Sequence, residues 1–145
     1  MSLPSLYERI GGDAAVRALV DRFYDVMDSD PSAQPLRAMH AKSLRVSRDK
    51  LYQFLSGWMG GPPLYAEKYG HPRLRMRHMP FAIDRNMAQQ WMQCMHQALE
   101  DCVEDARLRG EIEFQLERVA DHMRNIAETP EERLSPGMRE PTTSA

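Results

Sequence analysis

Apolar residues recur at three- and four-residue intervals along most of this chain, with no stretch of the strict alternation that marks a half-buried strand. A short first helix is predicted over residues 4–10, stopped by Gly11 and Gly12. Asp13 is expected to cap a second helix running to Ser29, with Val16, Val20, Phe23 and Met27 as its inward stripe and Leu19 and Tyr24 alongside. DPSAQP, residues 30–35, is turn chemistry and leads into a short piece at 36–39. Ser43 or Ser47 opens the next helix, whose apolar face is Leu44, Leu51, Phe54, Leu55 and Trp58. GGPP at 60–63 ends it, because glycine loses helical order and proline lacks the backbone donor.

Residues 64–82 mix tyrosines, arginines and histidines with weak periodicity and read as a loop with one helical turn around His78. Asp84 is expected to cap a long helix to about residue 107, with Met87, Trp91, Met95 and Leu99 on one face. Gly110 is expected to break it, and a final helix over 111–127 turns Ile112, Leu116, Val119, Met123 and Ile126 inward. From residue 128 the chain is rich in Pro, Glu, Ser and Thr and reads as a disordered tail. The expectation is an all-α fold in one domain, residues 1–127, followed by the tail at 128–145. Two long helices near each end make a natural two-over-two sandwich.

Composition alters this picture little. A length of 145 residues suits one domain able to bury a ligand-sized core. The net charge of −2 gives no electrostatic footprint for nucleic acid or an anionic membrane. No run approaches the roughly 20 apolar residues of a membrane span, and MSLPSLYERI lacks a secretory pattern, so a cytoplasmic protein is expected. Cys94 and Cys102 fall on one predicted helix, roughly 12 Å apart, too far for a disulfide within it. Eleven methionines fit an irregular core as well as the wall of a cavity.

The segment 60–82 is too long and irregular for an idle connector in so small a domain. His78, followed by Met79, Pro80 and a capped helix, is placed to direct a ring nitrogen between the layers, although from residue type alone a lone histidine in a basic loop is more often a solvated side chain. The sequence blocks go further. YERIGG at 7–12, Phe23 and Tyr24, GGPPLY at 60–65, GHPRLRMRHMPF at 70–81 and Trp91 together resemble the group II truncated haemoglobins, in the same order and spacing, over most of the chain from Tyr7 to Ala127. The pairing of GGPPLY with GHP-x-LR-x-RH carries the specificity.

The resemblance implies a truncated globin fold holding a non-covalent haem b whose iron is ligated by His78. It implies that Arg77 reaches a haem propionate, with Arg75, Tyr65 and His71 as further candidates. On the distal side Tyr24 and Trp91 become hydrogen-bond donors to a bound ligand, each with core packing as its alternative. Reading back from GGPPLY without gaps puts His40 where the family has Phe or Tyr beside the haem. A histidine there would donate a third bond to the ligand, or else it is a surface residue ending a short helix. Ser47 then stands where many globins have a distal histidine, leaving a ligand access route or merely starting a helix, and Leu51 lies one turn on. Phe54, Leu55, Trp58, Phe81 and Met95 read as haem-cavity or core packing, while His96 and His122 have no matching role.

The implied function is binding of O2, CO, NO or sulfide at a five-coordinate ferrous iron, with oxidation of NO or activation of peroxide as implied activities. Turnover would need a separate reductase, and family members are often homodimers. Two rivals come from other classes: a non-haem sensor or dimerising module that kept the scaffold, and a zinc or di-iron helical enzyme. The chain has no ExxH or HExxH, which weighs against the second.

Overall fold

In the computed structural model the residues described are 3–79, 81 and 83–125. Ser5 caps α1 (Leu6–Ile10) through a capping box: its hydroxyl accepts from the Glu8 backbone at 3.1 Å, and the Glu8 carboxylate accepts from the Ser5 backbone at 3.1 Å. Gly11, at φ 119°, then turns the chain in a left-handed conformation that favours glycine. α2 (Asp13–Ser29) follows at once. Asp13 is its first residue and not its cap, and the Asp13 carboxylate instead accepts the Tyr52 hydroxyl. After a single 3-10 turn at Pro31–Ala33 come α3 (Gln34–Ala38) and α4 (Arg45–Trp58). Neither candidate serine is the residue at the N-cap of α4: Leu44 holds that position, Ser43 accepts from Arg45 N at 3.3 Å, and Ser47 lies in the first turn.

The segment expected to be mostly loop contains two short helices, α5 (Leu64–Tyr69) and α6 (Leu74–His78). Asp84 caps α7 (Arg85–Cys102) by accepting from Met87 N at 2.9 Å, as the sequence indicates. The helix ends five residues earlier than expected, and the break falls at 103–105, not at Gly110. Asp105 caps α8 (Ala106–His122) by accepting from Arg107 N and Leu108 N. Gly110 sits inside α8, where the turn is already held by its neighbours and an added Cβ would meet nothing within 4 Å. α8 stops at His122, so Met123 lies just beyond it, while Ile126 and the tail lie outside the described residues.

α2 packs against both α4 and α7, and α7 packs on α8, giving an all-helical two-over-two sandwich with α2 and α4 over α7 and α8. The core is built where the apolar stripes meet: Val16, Leu19, Val20, Phe23 and Met27 of α2, Leu55 of α4, Met95 and Leu99 of α7, and Leu108, Ile112 and Leu116 of α8 are almost fully buried. Each such side chain contributes about 1.5–3 kcal/mol by leaving water. Surface ion pairs join the helices, Arg48 to Asp25 at 2.7 Å within one layer and Arg22 to Asp101 at 2.7 Å between the two. Being exposed, they add about 1 kcal/mol or less each and serve chiefly to set register. The turn after α4 packs on α1: Tyr7 N donates to Met59 O at 2.9 Å, and a Cβ at Gly61 would run into the Tyr7 ring. Two of the distinctive sequence blocks are therefore one contact. No helix among the described residues is long and apolar enough to cross a membrane.

Candidate haem site

His78 closes α6, and its Nδ1 donates to Leu74 O one turn earlier at 2.7 Å. That bond fixes the tautomer and leaves Nε2 with its lone pair, the arrangement a metal-binding imidazole requires. Asn125, just past α8, holds the backbone around it. Its Nδ2 donates to His78 O at 3.3 Å and to Phe81 O at 2.8 Å, and its Oδ1 accepts from Ile83 N at 2.9 Å. An isolated asparagine after a helix has no pattern that would have pointed to this role.

Tyr24 is 5% exposed on the inner face of α2, and among the described residues nothing hydrogen-bonds to its hydroxyl. Burial pushes its phenol well above the usual range, with the nearby Arg48 guanidinium acting weakly the other way. The ring meets Phe23 edge-on at 4.9 Å and His40 edge-on at 5.9 Å between centroids. Trp91 of α7 is half-buried with its ring 4.8 Å from that of Phe23. Phe23 thus touches both Tyr24 and Trp91, and Tyr24 in turn touches His40.

His40 is half-buried, and its Nδ1 donates to Leu36 O at 3.0 Å. Burial lowers its pKa; the Leu36 bond opposes this, while Arg37 and His78 lower it further. With Nδ1–H committed to Leu36, the neutral ring offers an acceptor at Nε2 and not the donor expected from the sequence.

Ser47 and Leu51 are half-buried on α4, Leu51 against the core, and Met95 is fully buried within it. Phe81 is 44% exposed and does not join the core. Tyr65 is buried, stacked with Tyr69 at 4.7 Å and capped by the Arg77 guanidinium at 5.5 Å, so its ring is a packing element. Arg77 donates from Nε to Pro72 O at 2.7 Å and from Nη2 to Tyr69 O at 3.4 Å, leaving part of its fork for an anion. His71 is exposed and its Nδ1 accepts from Arg73 N at 3.2 Å. Arg75 lies on α6, and its side chain is outside the described residues.

An open cleft of about 890 Å³ lies between α4, α6 and the end of α8, with Phe54, Leu74, Met76, Val119 and Met123 in its walls beside His71, Arg73, Arg118 and His122. Its size lies within the range of small-molecule and cofactor sites. The lone pair left on His78 Nε2, and the Tyr24 hydroxyl without a protein partner on a residue only 5% exposed, fit a haem.

Comparison with known proteins agrees. The bacterial-like globin family model matches residues 5–125. Group 2 truncated hemoglobin YjbI of Bacillus subtilis (strain 168) is 39% identical over 122 residues, covering 84% of this chain and 89% of the relative. Among solved structures, the group II 2-on-2 hemoglobin of Agrobacterium tumefaciens superposes with a TM-score of 0.83 at 46% identity, covering 86% of this chain and 97% of the other. The cold-adapted truncated hemoglobin of Pseudoalteromonas haloplanktis gives 0.84 at 44% identity, covering 86% and 100%. The chain belongs to the bacterial-like globins and, within them, to the group II truncated haemoglobins. Membership implies a haem and the binding of diatomic ligands such as O2.

Proposed function

We propose that residues 1–127 form one domain that binds haem b non-covalently through His78, with the opposite face of a five-coordinate ferrous iron open to O2, CO, NO or sulfide. When bound, the haem supplies reversible ligation of such small molecules and the redox chemistry that goes with it. The observation that carries this reading is the Tyr24 hydroxyl, which has no protein partner on a residue only 5% exposed and so is left to a ligand or water.

Around the open face the side chains have distinct tasks. Tyr24 O–H and Trp91 N–H point to ligands carrying partial negative charge, since an indole has no lone pair to oppose one. His40, neutral and accepting at Nε2, orients the Tyr24 hydroxyl or a water. Ser47, small and half-buried at the start of α4, leaves room for ligand access. Arg77 uses its remaining N–H groups on a propionate, with Arg75 and His71 nearby in sequence, and Phe54 supplies apolar wall, with Leu51 on the same helix packed against the core. Phe81, 44% exposed, would offer apolar surface to the cofactor, and Met95 and Tyr65, both buried, would pack behind the residues that hold it.

Two donors make ligand release slow, which suits chemistry on the ligand, NO oxidation or peroxide activation, better than oxygen delivery. Such turnover would draw on a separate reductase, and a homodimer is the assembly that the resemblance implies. The test is an absorption spectrum of the protein reconstituted with haem, beside His78→Ala. A sharp Soret band that shifts with CO and is lost or strongly altered in the variant is expected. Failure of the unaltered protein to take up stoichiometric haem would overturn the proposal in favour of a scaffold reused as a binding module.

A further inference from the structure

The short helix α3 presents His40 just past its C-terminal end, and its own N-terminus has a defect. Its N-cap residue, Ala33, has no side chain able to cap, and Pro35 has no N–H. Leu36 N is therefore a backbone donor in the first turn with no intrahelical partner. It is satisfied from across the fold: Gln90 of α7 accepts from Leu36 N through Oε1 at 3.0 Å. The carbonyl of the same residue, Leu36 O, accepts from His40 Nδ1 at 3.0 Å and from Met39 N at 3.1 Å. Leu36 itself is 6% exposed.

We infer that Gln90 is a positioning residue for His40: by holding the Leu36 backbone from α7, it fixes the tautomer and orientation in which His40 faces Tyr24. Gln90 immediately precedes Trp91, so one turn of α7 places the Trp91 indole directly and His40 through Leu36. A displacement of that turn moves both sides of the proposed ligand pocket together. The importance of His40 rests on the function proposed above, whereas the link from Gln90 to His40 does not.

For this reason the test reads the imidazole itself. Long-range proton–nitrogen NMR on the full chain is expected to show His40 with a protonated Nδ1 and a bare Nε2. In Gln90→Leu the two nitrogen signals should converge towards tautomer averaging, and in Gln90→Glu, whose carboxylate can still accept from Leu36 N, the original pattern should return. A folded Gln90→Leu protein with an unchanged His40 signature would overturn the inference. A second reading needs no variant: a through-hydrogen-bond coupling from Leu36 N to the Gln90 side-chain carbonyl, with slow exchange of the Leu36 amide, is expected. Fast exchange and no coupling would overturn it equally. Neither measurement depends on haem uptake, so a failed Soret experiment and a failed Gln90 experiment are distinguishable.

Discussion

The side-chain amide of Asn125 donates to the backbone carbonyl of His78 at 3.3 Å, linking the chain just past the last described helix to the residue proposed to hold the iron. With its bonds to Phe81 and Ile83, Asn125 stitches the 78–83 segment to the end of α8. Asn125→Ala removes these bonds, at about 1–3 kcal/mol in all. The expected outcome is a lower unfolding midpoint and faster loss of haem to an acceptor globin, followed by the decay of the Soret band. A haem-loss rate unchanged from the parent would show that the stitch does not steady His78.

Because the Tyr24 hydroxyl has no protein partner, replacing it should leave the fold almost untouched while removing a bond to the ligand. Tyr24→Phe is expected to speed oxygen dissociation roughly ten- to a hundred-fold, from about 1.5–3 kcal/mol for a charge-assisted bond. Stopped-flow displacement of O2 by CO measures it. An unchanged off-rate removes Tyr24 from the distal side.

Gly61 lies under the Tyr7 ring, with no room for a Cβ. Gly61→Ala should therefore push α1 away from the end of α4 and lower stability by about 1–3 kcal/mol. In a Tyr7→Ala background, which empties the space, the added cost should fall sharply; chemical denaturation of the four proteins of this cycle checks it.

His96 on α7 lies between two carboxylates, Glu113 of α8 and Glu100 at 3.2 Å, and the bond to Glu113 chiefly raises its pKa above the ordinary 6.5. A raised folded value means that the charged form is favoured by folding. The contribution is fully present below about pH 6.5 and fades as pH rises through the folded value. His96→Gln should thus narrow the stability gap to the parent at alkaline pH and widen it at acid pH. Urea midpoints across the range test the sign, and an opposite trend would mean the pair does not form in solution.

The long helices were legible because their stripes are long and their start signals local. The span of α2 and the Asp84 cap were readable from the residues themselves. The break between α7 and α8 was misplaced because glycine costs a helix only about 0.5–1 kcal/mol, whereas the Asp105 cap, which satisfies two backbone donors, is decisive. α5 and α6, at 6 and 5 residues, are too short to show periodicity or to stand alone, and they exist through packing. For the proposed site, the sequence blocks point to His78, Tyr24 and Trp91, while nothing in the sequence points to Gln90 or Asn125. Their bonds span 54 and 47 residues, and no local pattern records a partner so far along the chain.

The Phe23 ring touches both Tyr24, at 4.9 Å, and Trp91, at 4.8 Å. The two polar side chains are consequently not separate evolutionary variables. A change at Phe23 shifts both at once, and the effect of altering either depends on the other through their common neighbour. Retuning one of the two donors without the other therefore strains the ring they share, so that a paired change is the less costly route.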